Sequence, residues 1–368
     1  MVIHTKNLLT RIVVFVLAVC ALVSAGCGRV ERDIIVCGTY TGSGSYGVYS
    51  LAFDEQTGNI EFVDSVSAEN PSYLAFSADN KFVYAVRESG DRSGVYSISF
   101  DSGTGKFGDV CLCDEVGADP CYVTRLGDSF ATADYSGGSV SFFAADDIGA
   151  LERIAFTQFY GHGQDSIRQK SPHIHCVMPS PDGRVWVVSD LGKDKLYIYK
   201  DKESVLPDSL SLEPGFGPRH IAFTPDSRYC YVLGELSGDI VAMNFDGDAL
   251  VPFQAVMCDS LNARASADIH VSADGKFLYA SNRRQGDGIR VYRIGDDGRL
   301  ANVEYEPTGK HPRNFVITPS GNYVLVAARD DNRIEVYSRN AQTGELTNLN
   351  KDFHLPKPVC LKFVELKP

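Results

Sequence analysis

Four arginines, a histidine and a glutamate are the residues of this chain best suited to hydrolytic chemistry: His175, Arg219, Glu235, Arg283, Arg313 and Arg329. A carboxylate or a neutral imidazole can take a proton from water. A guanidinium fork donates paired hydrogen bonds to a carboxylate or phosphate, and it can meet charge that develops on a carbonyl oxygen. Opening a lactone needs both a base and a positive group at the ester carbonyl. Glu235 is the first candidate base and His175 the alternative. Arg219 and Arg283 would hold an anionic substrate or the developing oxyanion. Arg313 and Arg329 would extend the anion site, with His173 and His270 as further substrate contacts. Since His270 follows Asp268, it also reads as a structural hydrogen-bonding residue. The plain alternative for the arginines is an ion-paired rim in which each meets a neighbouring carboxylate.

A repeat sets where these residues fall. A short extended stretch, a turn on Asp or Gly, and an aromatic, β-branched strand recur seven times, as in residues 71–87 and 218–234. The copies begin at Pro71, Pro120, Ile174, Pro218, Ser266, Pro312 and Pro358, at intervals of 44 to 54 residues. Strand-like repeats of this length, with no helical period, predict a β-propeller. One copy read in full gives strands at 73–77, 82–87, 95–100 and 107–113, separated by Gly-rich turns. That is one four-stranded antiparallel blade.

At the N-terminal end, residues 34–39, 47–53 and 60–66 read as three outer strands with no inner strand before them. The tail, 359–365, reads as an inner strand with nothing after it. The tail should therefore pair with the N-terminal strands and close a seven-bladed, all-β ring without an open edge.

A ring turns equivalent positions into neighbours. The first and second strands of a blade are antiparallel, so the start of one and the end of the other share a rim. One set there is Ser72, Cys121, His175, Arg219, Ala267, Arg313 and Val359; the other is Thr39, Glu88, Asp134, Asp190, Glu235, Arg283 and Arg329. Arg219 and His220 should face opposite ways, which puts His220 in packing between blades. Residues 161–170 form an insertion that reads as a lip over the mouth or as a surface loop.

Several motifs carry a family resemblance. They are residues 38–42 with 47–54, 172–177 with Ser180-Pro-Asp-Gly183, Gly217-Pro-Arg-His220, Gly234-Glu-Leu236, 267–271, Ser281-Asn-Arg283 and Pro312-Arg-Asn-Phe315. In this order and at blade spacing, they resemble the seven-bladed lactonase family. That family includes bacterial 6-phosphogluconolactonases and fungal carboxymuconate-lactonising enzymes. The resemblance implies hydrolysis of a sugar lactone or a similar anionic lactone. The family's functional His, Arg, Glu and Arg fall on His175, Arg219, Glu235 and Arg283. Two other readings use the same ring: a muconate-type cycloisomerase, and a non-catalytic envelope propeller that binds an acidic sugar or a protein.

Bulk properties narrow the partners. The formal net charge is −12 and the pI about 5.1, with no basic stripe, so nucleic acid is excluded as an expected partner. No cofactor is expected. A channel calcium ion would have to use Glu88, Asp134 and Asp190, and no contiguous motif demands one.

The first 27 residues read as a leader. Lys6 and Arg11 precede an apolar run from Ile12 to Val23 that fits a secretory signal. The run ends in Ser24-Ala25-Gly26-Cys27, which resembles the lipobox of bacterial lipoproteins, with Cys27 as the lipid site. The expected organisation is a signal at 1–27, a linker at 28–33 and one propeller at 34–368. The expected place is the bacterial envelope, as a lipid-anchored monomer facing the periplasm. There the chain would not meet the cytoplasmic 6-phosphogluconolactone. Of the ten cysteines, the eight after Cys27 show no disulfide framework and mostly fall where the repeat buries a strand residue.

Overall fold

The computed structural model describes residues 32–200 and 207–364. The leader and Cys27 lie outside the described residues. From Asp33 onward the chain forms seven antiparallel sheets, one per blade, arranged as a ring. Blade one takes its three outer strands from Asp33–Thr39, Gly47–Asp54 and Asn59–Ser67, and its inner strand from Pro358–Phe363. The inner strands of blades two to seven are Leu74–Phe76, Pro120–Leu126, Ile174–Pro179, Pro218–Phe223, Ile269–Val271 and Pro312–Ile317. Blade seven carries an extra two-residue strand, Phe353–His354, on its third strand.

The recurring Asp of the sequence phrase acts as a turn lock. In blade five, Thr224 donates to Asp226 at 2.7 Å, and the same carboxylate oxygen accepts the Arg228 amide at 3.1 Å. Ser180 with Asp182 and Ser272 with Asp274 repeat the arrangement. Such side-chain turns fix the hairpin between the first two strands.

Neighbouring blades are joined by an aromatic ring set against a glycine. The Tyr229 ring of blade five lies where a Cβ on Gly298 of blade six would be 2.4 Å away, and Gly298 has φ +76°. Phe277 and Gly344 make the same contact between blades six and seven. Glycine is required twice over at Gly298, by the left-handed backbone and by the close ring.

The tail closes the ring as expected, antiparallel to the first strand. Ile35 faces Phe363, Val36 faces Lys362 and Cys37 faces Leu361. Asn314 of blade seven accepts the Leu361 amide at 2.7 Å, which ties the tail to the preceding blade as well. Cys37, Cys121, Cys176, Cys230, Cys258 and Cys360 are buried, and all eight described cysteines are free thiols.

Leu361 is fully buried, so Leu361→Ala should cost about 2–5 kcal/mol. Deleting the chain from Val359 onward should melt all seven blades at a lower temperature, because it opens an edge on both neighbours. A truncated protein with the calorimetric profile of the full chain would show that closure is not what stabilises the ring.

Candidate active site

The charged residues at the start of the inner strands owe their direction to β-bulges. In blade four, Ile174 pairs with Asp190 and Cys176 with Ser189, so His175 is the extra residue. In blade five, Pro218 pairs with Gly234 and Ile221 with Val232, which leaves both Arg219 and His220 outside the ladder. Blades three and seven do the same with Cys121 and Arg313. A bulge re-aims its side chain and is common beside active sites. Here it also corrects an expectation. Arg219 and His220 both stand outside the ladder, so strict alternation does not set which way either points. His220 is not packed between two adjacent blades: it meets Tyr73, Tyr122, His175 and Asp268, from blades two, three, four and six, and borders a cavity.

Glu235 is the centre of the cluster. It follows strand Tyr229–Gly234, its amide is held by the Gly217 carbonyl at 2.8 Å, and it is 5% exposed. Three guanidiniums converge on it. Arg168 donates to Oε1 at 2.7 Å. Arg219 Nε lies 3.0 Å from Oε2, as an ion pair whose angle is not that of a hydrogen bond. Arg283 Nη2 lies 3.3 Å from the same oxygen. His175 Nε2 stands 3.9 Å away, too far for a direct hydrogen bond and suited to a shared water.

Each partner is itself held. Arg219 donates to the Ala267 carbonyl of blade six. Arg283 donates to the Ala265 carbonyl at 2.7 Å and contacts His311 at 3.3 Å. His311 also contacts Arg329 at 3.1 Å and Asp330 at 3.5 Å. A neutral imidazole has one acceptor nitrogen, so it can bond only one of these two guanidiniums at a time.

Of the remaining expected residues, Arg313 joins the cluster. It lies 3.8 Å from Glu88 and over the Tyr40 ring, whose hydroxyl donates to Glu88 at 2.8 Å. His173 stacks on Tyr135 at 4.4 Å and donates from Nδ1 to the Tyr135 carbonyl, leaving Nε2 as an acceptor. Arg329 is paired with Asp330 and reaches the cluster only through His311. His270 is bonded to Asp268 at 2.9 Å, away from Glu235.

Arg168 was not foreseen. It comes from the insertion at 161–170, which folds as a lip. Asp165 accepts the Ile167 and Arg168 amides at 2.9 Å, and the buried Gln169 donates to Leu191 and Asp194. The only signal in the sequence was the insertion's length and its position just before His173.

Among the described residues, no group of three or more His, Cys, Asp or Glu side chains is placed to hold a metal. The proposed calcium ligands have other duties. Asp134 accepts from Thr132, Ser139 and Ser141, and Asp190 from the His173 and Gly192 amides. Burial raises both carboxyls to about 6.

The electrostatics follow from the geometry. Burial alone would raise the Glu235 carboxyl, but Arg283, Arg219 and Arg168 outweigh it and hold it down to about 2. Burial, then Arg219, keeps His175 well below its ordinary 6.5, so the ring is neutral. Burial lowers Arg283 to about 9. Four guanidiniums, Arg168, Arg219, Arg283 and Arg313, face two carboxylates, Glu235 and Glu88. The site therefore carries an excess of positive charge inside an acidic protein, which suits an anion.

The family model for a seven-bladed β-propeller lactonase matches residues 34–363. The chain belongs to this lactonase family. It is 34% identical to the 6-phosphogluconolactonase of Bacillus subtilis, over 89% of this chain and 97% of the relative. A solved structure from Bacteroides fragilis, provisionally named a 6-phosphogluconolactonase, is 40% identical with a TM-score of 0.88, covering 91% of this chain and 98% of that one. The periplasmic gluconolactonase of Pseudomonas aeruginosa is 27% identical with a TM-score of 0.84, covering 92% and 100%. The lactonase is thus a hydrolase of carbohydrate metabolism that opens a lactone.

The buried groups set how the lactonase responds to acid. His220 is lowered by burial from 6.5 to about 3, and Glu235 by its arginines from 4.5 to about 2. In both cases the unfolded chain takes up protons first. The stability each group contributes is full above its unfolded value and is lost as pH falls towards its folded value. His175 and His311 are lowered by burial as well, and together with His220 they outweigh Asp134 and Asp190, whose raised carboxyls take up protons first in the folded protein. The melting temperature should therefore decline below pH 6.5 and more steeply below 4.5. A flat profile between those values, measured by calorimetry, would contradict the assignment.

Proposed function

We propose that this lactonase hydrolyses a sugar lactone at Glu235, with a water held between Glu235 Oε2 and His175 Nε2 as the nucleophile. The 3.9 Å separation of those two atoms, inside a ring of guanidiniums, is the observation that carries the reading. Before a substrate binds, Glu235 is a weak base, because three arginines share its charge. A lactone carbonyl that docks against Arg219 and Arg283 draws on the same guanidiniums. As negative charge grows on the carbonyl oxygen, their hold on Glu235 slackens and the carboxylate becomes more basic. The water oxygen bonds to the carbonyl carbon, and its proton passes to the Glu235–His175 pair. That proton then goes to the ring oxygen as the ring C–O bond breaks; the new carboxylic acid gives up its remaining proton to solvent, and the product carboxylate is left facing the arginines.

On substrate, we favour an unphosphorylated sugar lactone. Two things support this: the leader-like first 27 residues, which would send the chain out of the cytoplasm, and the similarity to a periplasmic gluconolactonase. In this setting the excess guanidinium charge serves the carboxylate that ring opening creates. Arg313 and Arg329 act as outer anion contacts, and His173 offers Nε2 to a substrate hydroxyl.

A panel of sugar lactones, with and without phosphate, tests this by titration of the acid released. Glucono-δ-lactone should be turned over, and Glu235→Gln should lower kcat/KM by roughly 10²–10³-fold. Arg219→Lys should cost a similar factor, because a point charge cannot replace the planar fork. Circular dichroism would check that both variants fold. Full activity in both would remove the Glu235 site, and turnover of phosphorylated lactones alone would overturn the substrate assignment.

A further inference from the structure

The inner strands run on past the Glu235 cluster, and their later residues enclose a cavity of about 260 Å³. Tyr73, Tyr122, His220, Asp268, His270 and Lys362 border it, between apolar stretches of blades four, five and six. Neither Glu235 nor any guanidinium that grips it lines this space.

Asp268 organises the polar wall. Its Oδ1 accepts from His220 Nδ1 at 2.7 Å and from the Ile269 amide at 3.0 Å. Its Oδ2 accepts from His270 Nε2 at 2.9 Å, Asn314 Nδ2 at 2.5 Å and the Phe315 amide at 3.3 Å. Its oxygens are thus taken up by donors from blades five, six and seven, which leaves the cation of Lys362 to meet an anion.

The same contacts fix the His220 tautomer. A carboxylate accepts, so the ring proton sits on Nδ1 and Nε2 is a bare acceptor. Nε2 has no hydrogen-bond partner, although the side chain is only 5% exposed. A buried acceptor without a partner is costly, and a bound molecule with a donor would relieve it. Burial and Arg219 keep the ring neutral, with its pKa lowered to about 3.

Lys362 supplies a cation. Its ammonium lies 4.8 Å from the centre of the Tyr73 ring and 3.4 Å from that tyrosine's hydroxyl. Among the described residues it makes no salt bridge with a carboxylate. Tyr73 and Tyr122 stack at 4.1 Å, and their edges meet His220.

We infer that this cavity is a second binding site for a small hydroxy carboxylate, whose acid group meets Lys362 and whose hydroxyl donates to Nε2 of His220. The tyrosine rings provide the apolar wall that carbon-bound hydrogens of such a molecule pack against. The volume lies just below the ~300 Å³ at which pockets for larger ligands begin, which limits the occupant to a small molecule. This site does not depend on the hydrolysis proposed at Glu235. The two share only a wall, where the His175 and His220 rings meet edge to face at 5.4 Å.

Gluconate is a suitable probe, with glucose as the uncharged control. Calorimetric titration of the full chain should show gluconate at two sites and no comparable binding of glucose. Lys362→Met should weaken one of them by roughly tenfold or more and leave lactone turnover unchanged. Arg168→Ala should weaken the other alone. A crystal soaked with gluconate should show it between Lys362 and His220. No binding, or a single site that Lys362→Met leaves intact, would overturn the inference, as would a cavity holding only water in the soaked crystal. A protein that binds gluconate at Lys362 but opens no lactone would refute hydrolysis at Glu235 and leave this second site standing.

Discussion

Everything at the mouth of this propeller depends on one buried carboxylate. Glu235 is almost fully removed from water, where an isolated carboxylate would be very unfavourable. It stays charged because Arg168, Arg219 and Arg283 reach it from three separate segments: the lip, blade five and blade six. The arginines depend on it in turn. Arg219 is 1% exposed, and without Glu235 its charge would be buried beside other cations. Breaking a buried pair by removing one partner is far more damaging than never having built it. The cluster therefore couples chemistry to assembly. The charges that would bind a lactone also hold the lip and two blades in place.

The fold was legible in the sequence because a propeller writes its period into the chain. The Asp turn, the aromatic strand and the missing inner strand at the N-terminal end together implied seven blades and their closure, and the register of Val36 with Lys362 agrees. Strand limits moved by a residue or two. The site was legible to the extent that it follows the register: His175, Arg219, Glu235 and Arg283 do lie together. Arg168 was hidden because a loop carries no period, and only folding decides where its side chains reach. His220 was placed between blades but not at the cavity wall, because a bulge breaks the alternation that such readings rest on. Arg329 kept its register position, but Asp330 next to it holds its guanidinium, and it meets the cluster only through His311.

Asp268 plays a complementary part deeper in the ring. It collects donors from blades five, six and seven, and Asn314 passes the connection on to the tail strand. The last strand to be made is thus fastened by its pairing with the first and by a polar chain that crosses three blades. Such a network holds its geometry because each member is oriented by the next. It leaves little freedom to the inner strand that carries Arg219.

The bulges have a consequence for how such a ring could change its chemistry. A residue inside a ladder answers to its partner across the strand and to the packing on its face. Cys121, His175, Arg313 and Val359 stand outside their ladders, in four different blades. Each works as a socket, into which a side chain can be exchanged without re-registering the sheet behind it. Two of the sockets, Cys121 and Val359, hold neither an imidazole nor a guanidinium. A single base change in either codon would offer the mouth a new functional group while the scaffold stayed the same. New substrate preferences could in this way arise one blade at a time.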